Sequence, residues 1–393
     1  MKETIMPSAL AIDPILSEAN SPSRRLYFLD NLKTFIIILV VFFHAAYAYA
    51  IYYSKDWYVV DPQKKLFFDI FISAAFAFIM PVMFYVAGYF GIRSLARKGQ
   101  YTFWKDKINR IVIPWGLGVL FLAPAIGYMH PLSRNLHPSY LSYWVHYFFG
   151  KEYQSHGQVH FYFLGTLTLY FLALSLAYRI HEPLGQISDK PMRSLGLFFI
   201  LFGLLTGLIF FCGNLVVGEE LWAKIAIFDF PASRFIPYMG YFFLGIFAYK
   251  QQWFTASGYN PRLRWWLPLC VIFFILTISL IDKRSTNKIG MICFAVSYFF
   301  FCLTAVFSLL AIFQKRLNFT TSLLSSLAAN SYAIYFLHYF VILWVILVLR
   351  GSPWNAFLKW FLVGIISNII CYLLARYALS RTPMFRTQVK SIG

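Results

Sequence analysis

Residues 33–50 read KTFIIILVVFFHAAYAYA. One lysine opens the run and one histidine interrupts it; every other side chain is apolar, aromatic or a threonine. A bilayer is crossed by about 20 mainly apolar residues in helical form, and the apolar run extends to about residue 53. Nine comparable segments follow, at 66–92, 108–129, 158–180, 195–217, 233–250, 265–281, 289–312, 326–349 and 355–379. The pattern predicts an all-α polytopic membrane protein with about ten transmembrane helices. Residues 24–381 form the membrane domain, between flexible tails at 1–23 and 382–393.

Composition agrees. Of 393 residues, 60% are hydrophobic, 21% aromatic and 12% charged, about half the charged fraction of a soluble domain. The net charge of +19 would point to nucleic acid in a soluble protein. Here the basic residues lie between apolar blocks, so they report topology, and no nucleic-acid partner is expected. With the N-terminus placed inside and the helices alternating, 22 of the 34 basic residues fall on the inner side, against seven of the 15 acidic ones. That asymmetry puts both termini in the cytoplasm. The first 23 residues hold no apolar core ahead of a cleavage site, so no secretory signal is read there. The five cysteines form no CxxC pair and read as small core residues.

Two connections are longer than a minimal turn. Residues 93–107, RSLARKGQYTFWKDK, read as a basic inner loop. Residues 130–157 read as an outer loop holding His130, His137, His146 and His156 with Tyr140, Tyr143, Trp144, Tyr147 and Tyr153. No two of those histidines have the spacing of a metal pair, so no metal site is expected. The aromatic residues fit either an interfacial belt or a surface for stacking sugars.

The sharpest chemical feature is His44. Eleven residues separate it from Lys33, a rise of about 16 Å, and eleven steps of about 100° return the chain to nearly the same helix face. Lys33 would lie near the membrane surface and His44 near the middle. An ionisable residue at depth faces a bundle interior or cavity; the neutral imidazole is cheaper there and is the form a general base requires. A histidine bridging two helices by hydrogen bonds is the structural alternative. Asp30 and Asn31, just before the apolar run, read as helix caps. His338 lies within a later apolar helix, in NSYAIYFLHYFVI, without a basic partner on its face. His160 and Arg234 sit near the outer ends of their segments. Lys107 and Arg110, three residues apart in KINRIVIPW, share a face at the inner end. With Arg93, Arg97, Lys98 and Lys105 they make a basic cluster suited to phosphates or to anionic headgroups.

Together these elements resemble the membrane acyltransferase 3 family, over residues 25 to 380. Lys33 and His44 match its basic residue and histidine on the first helix. Lys107, Arg110 and Pro114 match its short basic motif. FYVAGYF (84–90), HFYFL (160–164) and SYAIYFLH (331–338) match three further elements in order, with Ala87 where the family has serine. The opening RLYFLDNLK is similar to the branch containing the glucan succinyltransferases. The resemblance implies transfer of a short acyl group, of acetyl or succinyl type, from cytoplasmic acyl-CoA to a hydroxyl of an extracytoplasmic glycan. His44 would be the base and Lys33 its electrostatic partner. Lys107, Arg110 and Arg93 would hold the donor, and His160, Arg234, Tyr335 and His338 would contact substrate. It also implies a bacterial cytoplasmic membrane. Lysine at 33 lacks the bidentate fork of the more common arginine. No buried carboxylate is evident to orient His44; Asp30 and Asp69 are the acids nearest in sequence. A proton-coupled transporter using His44 and His338 is the alternative, and a scaffold without chemistry is a third reading. No inverted repeat or pair of broken helices supports transport.

Overall fold

A computed structural model describes residues 26–55, 57–150, 157–180, 186–188, 192, 195–218, 221–382 and 384–385. The tail at 1–23, nearly all of the tail at 382–393, Tyr153 and His156 lie outside the described residues. Each of the ten apolar segments is helical over most of its length. They correspond to α1 (Tyr27–Ala46), α2 (Leu66–Lys107), α3 (Ile113–Leu117) continued by α4 (Ala123–Leu132), α6 (Tyr162–Ile180), α7 (Gly196–Val217), α8 (Ala232–Lys250), α9 (Leu263–Ser279), α10 (Lys288–Arg316), α11 (Ser322–Leu349) and α12 (Ala356–Tyr377). A short helix, α5 (Tyr140–Phe149), falls between α4 and α6. Seven helical runs among the described residues are long and apolar enough to cross a membrane, one of them the 67-residue run Leu66–Leu132. The chain is an all-α, multi-pass membrane protein in architecture. Apolar side chains such as Leu197, Leu201, Leu205 and Leu208 form an exposed stripe on α7 at helical spacing, a face that needs lipid.

Several boundaries differ from the sequence reading. The first helix begins at Tyr27, and Asp30 and Asn31 lie within its first turns instead of capping it. Asp30 faces Lys33 at 3.8 Å. Asn31 donates its amide to the carbonyls of Leu317 at 2.8 Å and Phe319 at 2.9 Å, tying α1 to the α10–α11 connection. The expected loop 93–107 is helical, broken at Gly99, whose φ of 73° and ψ of 167° favour a residue without Cβ. The expected outer loop contains α5, whose Tyr143 and Tyr147 are buried; aromatic periodicity there builds a helix face, so those two rings cannot stack a sugar. A two-stranded antiparallel hairpin, β1 (Trp222–Ile225) with β2 (Phe228–Pro231), pairs Trp222 with Pro231 and Ile225 with Phe228. At four residues per strand it is too short to signal itself by alternation.

Two contacts fix the helices around the site. Gly88 on α2 lies under the Phe242 carbonyl and Gly245 on α8 under that of Tyr85; a Cβ at either would stand 1.9 and 2.0 Å from those oxygens. The two helices therefore meet backbone to backbone, as small residues permit in membranes. After α1, the chain at 50–65 folds back over the bundle. Asp69 holds it by accepting the N–H groups of Ile51 at 2.7 Å, Tyr52 at 2.8 Å and Tyr53 at 3.2 Å. Lys359 of α12 pins the same segment through Asp61.

Candidate active site

His44 lies in the last turn of α1, closer to the helix end than its place in the apolar run implied. The difference follows from where the helix starts: six residues before Lys33 are already helical. His160 occupies a single 3-10 turn (Val159–Phe161) leading into α6, Arg234 is in the first turn of α8, and His338 is midway along α11. The packing of α1 against α11, with the start of α6 alongside, brings the three histidines together. The ring centroids of His44 and His338 are 5.3 Å apart, and those of His338 and His160 are 4.7 Å apart.

Aromatic rings enclose the cluster. Tyr339 stands 4.5 Å from His44 and lies parallel to His160 at 5.3 Å. Trp57, from the returning segment, is buried and parallel to His44 at 6.0 Å and to Tyr47 at 4.4 Å. Trp57, Tyr47 and Tyr339 were not singled out from the sequence. Nothing in their spacing marks them, because they join the site only through the fold-back of residues 50–65 and the face of α11.

The hydrogen-bond inventory is unusual for such a buried place. His338 is fully buried, and its Nδ1 lies 2.6 Å from the Tyr335 carbonyl. A carbonyl can only accept, so Nδ1 carries the proton and Nε2 a lone pair in the neutral ring. That Nε2 has no partner among the described residues; neither has Nδ1 of His44, nor either ring nitrogen of His160. Buried polar atoms are normally satisfied, and convergence of unsatisfied ring nitrogens at one point marks a place built for a ligand or reaction. His44 keeps partial exposure while its Nδ1 is sealed, so its accessible edge lies elsewhere on the ring. The Tyr335 hydroxyl donates to the His160 carbonyl at 2.7 Å and so holds the His160 turn in place. No group of three or more His, Cys, Asp or Glu among the described residues is arranged to hold a metal.

Arg234 is buried, with its guanidinium carbon 5.1 Å from the Phe76 ring centre and 5.0 Å from that of Phe210. Phe76 in turn stacks on Phe43 at 6.2 Å, next to His44. A crevice lined by Tyr53, Ser73, Phe76, Arg234, Arg284 and Tyr298 opens on this side.

The basic residues between Arg93 and Arg110 have differing surroundings. Lys107 is packed over Phe171, 3.9 Å from the ring centre, a cation–π contact. Lys98 pairs with Asp106. Arg110 is exposed on a π turn (Ile108–Val112), and Arg93 lies a helix segment away, before the Gly99 break. Beside Lys107 a groove of about 710 Å³ runs between α2 and α6, with Lys105 and Arg179 among its lining. Lys33 remains at the start of α1 with Asp30, on the helix of His44 but not at its ring.

The sequence profile of the acyltransferase domain family matches residues 26–376. Among curated proteins, the chain is similar to glucans biosynthesis protein C of Escherichia coli K12 and of Escherichia coli O1:K1 / APEC. Each is 31% identical over 93 residues, covering 24% of this chain and 23% of the relative. The chain thus spans about a quarter of the length of the curated relatives it matches. No solved structure matches. The family match takes in all twelve helices except the last residue of α12, and with it the histidine cluster: the chain belongs to the acyltransferase domain family and is a multi-pass membrane protein.

Proposed function

We propose that this protein is an acyltransferase that moves a short acyl group, of acetyl or succinyl type, from cytoplasmic acyl-CoA to a hydroxyl of an extracytoplasmic glycan. The carrying observation is the cluster of three histidines with unpartnered ring nitrogens, enclosed by aromatic rings. In this reading all ten helices cross the cytoplasmic membrane of a bacterium, with both termini inside. His44 takes the acceptor's hydroxyl proton as that oxygen attacks the thioester carbonyl. The C–S bond then breaks, and the proton passes from His44 to the departing thiolate. His160, Arg234, Tyr335 and His338 shape the acceptor side. Lys107, Arg110 and Arg93, with Lys105 and Arg179 nearby, attract the donor's phosphates from the inner side. Lys33 sets the potential along α1. The distant relative's name supports a glucan as acceptor.

The test is mass spectrometry of periplasmic and surface glycans from the native host, a deletion strain, and the deletion strain carrying His44→Ala. An ester present in the first and lost in the other two is the expected result, and its mass names the acyl group. An ester restored by His44→Ala would remove His44 from the reaction. No ester difference between host and deletion strain, with the protein present in the membrane, would favour the transport reading. Arg110→Ala is expected to weaken acyl-CoA binding; unchanged affinity would remove its assigned role.

A further inference from the structure

We propose that His338 is the residue that orients His44 for catalysis, taking the place that a carboxylate holds beside the histidine of a hydrolase triad. This inference rests on His44 being the general base. The acids that could have served are committed elsewhere: Asp30 faces Lys33, Asp61 is paired with Lys359, and Asp69 accepts three backbone N–H groups. The neighbour that remains is an imidazole whose protonation pattern is fixed. The Tyr335 carbonyl keeps the proton of His338 on Nδ1, so Nε2 offers a lone pair inside the bundle.

His44 presents the complementary need. Its Nδ1 is sealed from solvent without a partner, as is Nε2 of His338, and the two rings are 5.3 Å apart. The nitrogens are not at bonding geometry in this state; catalytic hydrogen bonds commonly tighten only when substrate is bound. Once joined, Nδ1–H of His44 donates to Nε2 of His338. The bond on one ring nitrogen sets the state of the other, so Nε2 of His44 must then carry its lone pair on the accessible side. The chain reads acceptor O–H to Nε2 of His44, Nδ1–H of His44 to Nε2 of His338, and Nδ1–H of His338 to the Tyr335 carbonyl. The acceptor's proton moves to His44 and then to the thiolate. That proton leaves with the thiol, and His44 and His338 both end as they began.

His338 is thus a positioning residue, and side-chain replacements separate that role from packing. The purified protein in proteoliposomes would be given acetyl-CoA or succinyl-CoA, whichever matches the host ester, and glycan from the deletion strain. His338→Phe fills the space but removes the acceptor; kcat is expected to fall about 100-fold with KM changed less than about threefold. His338→Gln restores an acceptor at the position of Nε2 and should recover at least about tenfold of that loss. His338→Asn reaches only the position of Nδ1 and should not, so the Gln and Asn variants decide the matter if the Phe variant does not fold. A loss confined to KM, or Gln no better than Asn, would overturn the proposal. So would a His160→Gln loss as large as that of His338→Phe with no rescue by His338→Gln. His44→Ala run alongside separates the two levels. If it is inactive while His338→Phe is wild-type, the base stands and its orienting residue is wrong; if it is active, the base itself is wrong.

Discussion

Lys359 and Asp61 form an ion pair with Nζ and Oδ2 2.8 Å apart and side chains 1% and 0% exposed. The pair joins α12 to the segment that folds back after α1 and carries Trp57 onto His44. Removing one partner strands the other charge in a low-dielectric interior, which typically costs about 3–5 kcal/mol. Lys359→Met should therefore lower the melting temperature in detergent sharply. The double variant Asp61→Leu/Lys359→Met should regain most of the loss, because two apolar groups can replace a buried pair at little cost. A double variant no more stable than the single one would show that the charge pair, and not merely its neutralisation, secures the segment.

The α2–α8 crossing yields a contrast between glycines. A Cβ on Gly88 or Gly245 would meet a backbone oxygen at 1.9 or 2.0 Å, and backbone cannot swing aside. Gly88→Ala and Gly245→Ala should each separate the helices and cut the monodisperse yield severely. At Gly99 no atom lies within 4 Å of a new Cβ and only the backbone conformation, φ 73° and ψ 167°, opposes it, so Gly99→Ala should cost about 1–3 kcal/mol. Gly116 has neither obstacle, and Gly116→Ala should be neutral or slightly stabilising. Equal losses at Gly88 and Gly116 would contradict the close crossing.

Much of this arrangement was legible in the sequence, and the residues show why the rest was not. Apolar length marked the helices because lipid imposes it. His44 and His338 stood out because ionisable side chains are rare at depth. Periodicity could not reveal that the two rings meet, since 294 positions separate them and only the packing of α1 on α11 joins them. Asn31 looked like a cap because its residue type is common there; its actual partners are the carbonyls of Leu317 and Phe319, a contact written in tertiary structure alone. Nor could the sequence show that Lys98 pairs with Asp106 across the Gly99 break, or that Lys107 packs on Phe171.

Asp229, on strand β2, supplies a pH prediction. It is buried; its Oδ2 accepts the Gln158 N–H at 3.2 Å and its Oδ1 has no partner among the described residues. Burial holds the carboxyl above the usual carboxylate range, opposed by the Gln158 N–H and by Lys224. The folded state thus binds the proton more tightly than the unfolded state. Stability contributed here is present below the unfolded value, about 3.9. It is lost as pH rises through the folded value, since stability falls with pH wherever the folded state holds more protons. Asp229→Asn should abolish that slope and melt higher than wild type at neutral pH, with the difference vanishing toward about pH 4. A variant less stable than wild type at neutral pH would mean that the ionised carboxylate is what holds Gln158.

Trp57 is where the architecture meets the chemistry. Its ring covers His44 at 6.0 Å and Tyr47 at 4.4 Å, from a segment that Asp69 and Lys359 hold down. In the proposed reaction the thioester must reach a sugar hydroxyl while water, a competing nucleophile, is kept from the same base. Trp57→Ala would leave a gap beside His44 without touching His44, His160 or His338. Ester transfer to glycan should fall about tenfold while release of free CoA falls much less, because hydrolysis replaces transfer. Trp57→Phe, retaining a ring of smaller area, should lie between. The measurement is the ratio of ester formed to CoA released in proteoliposomes supplied with acyl-CoA and glycan. If both rates fall together in Trp57→Ala, the ring only supports the fold; if the ratio falls, the indole is the barrier that separates transfer from hydrolysis.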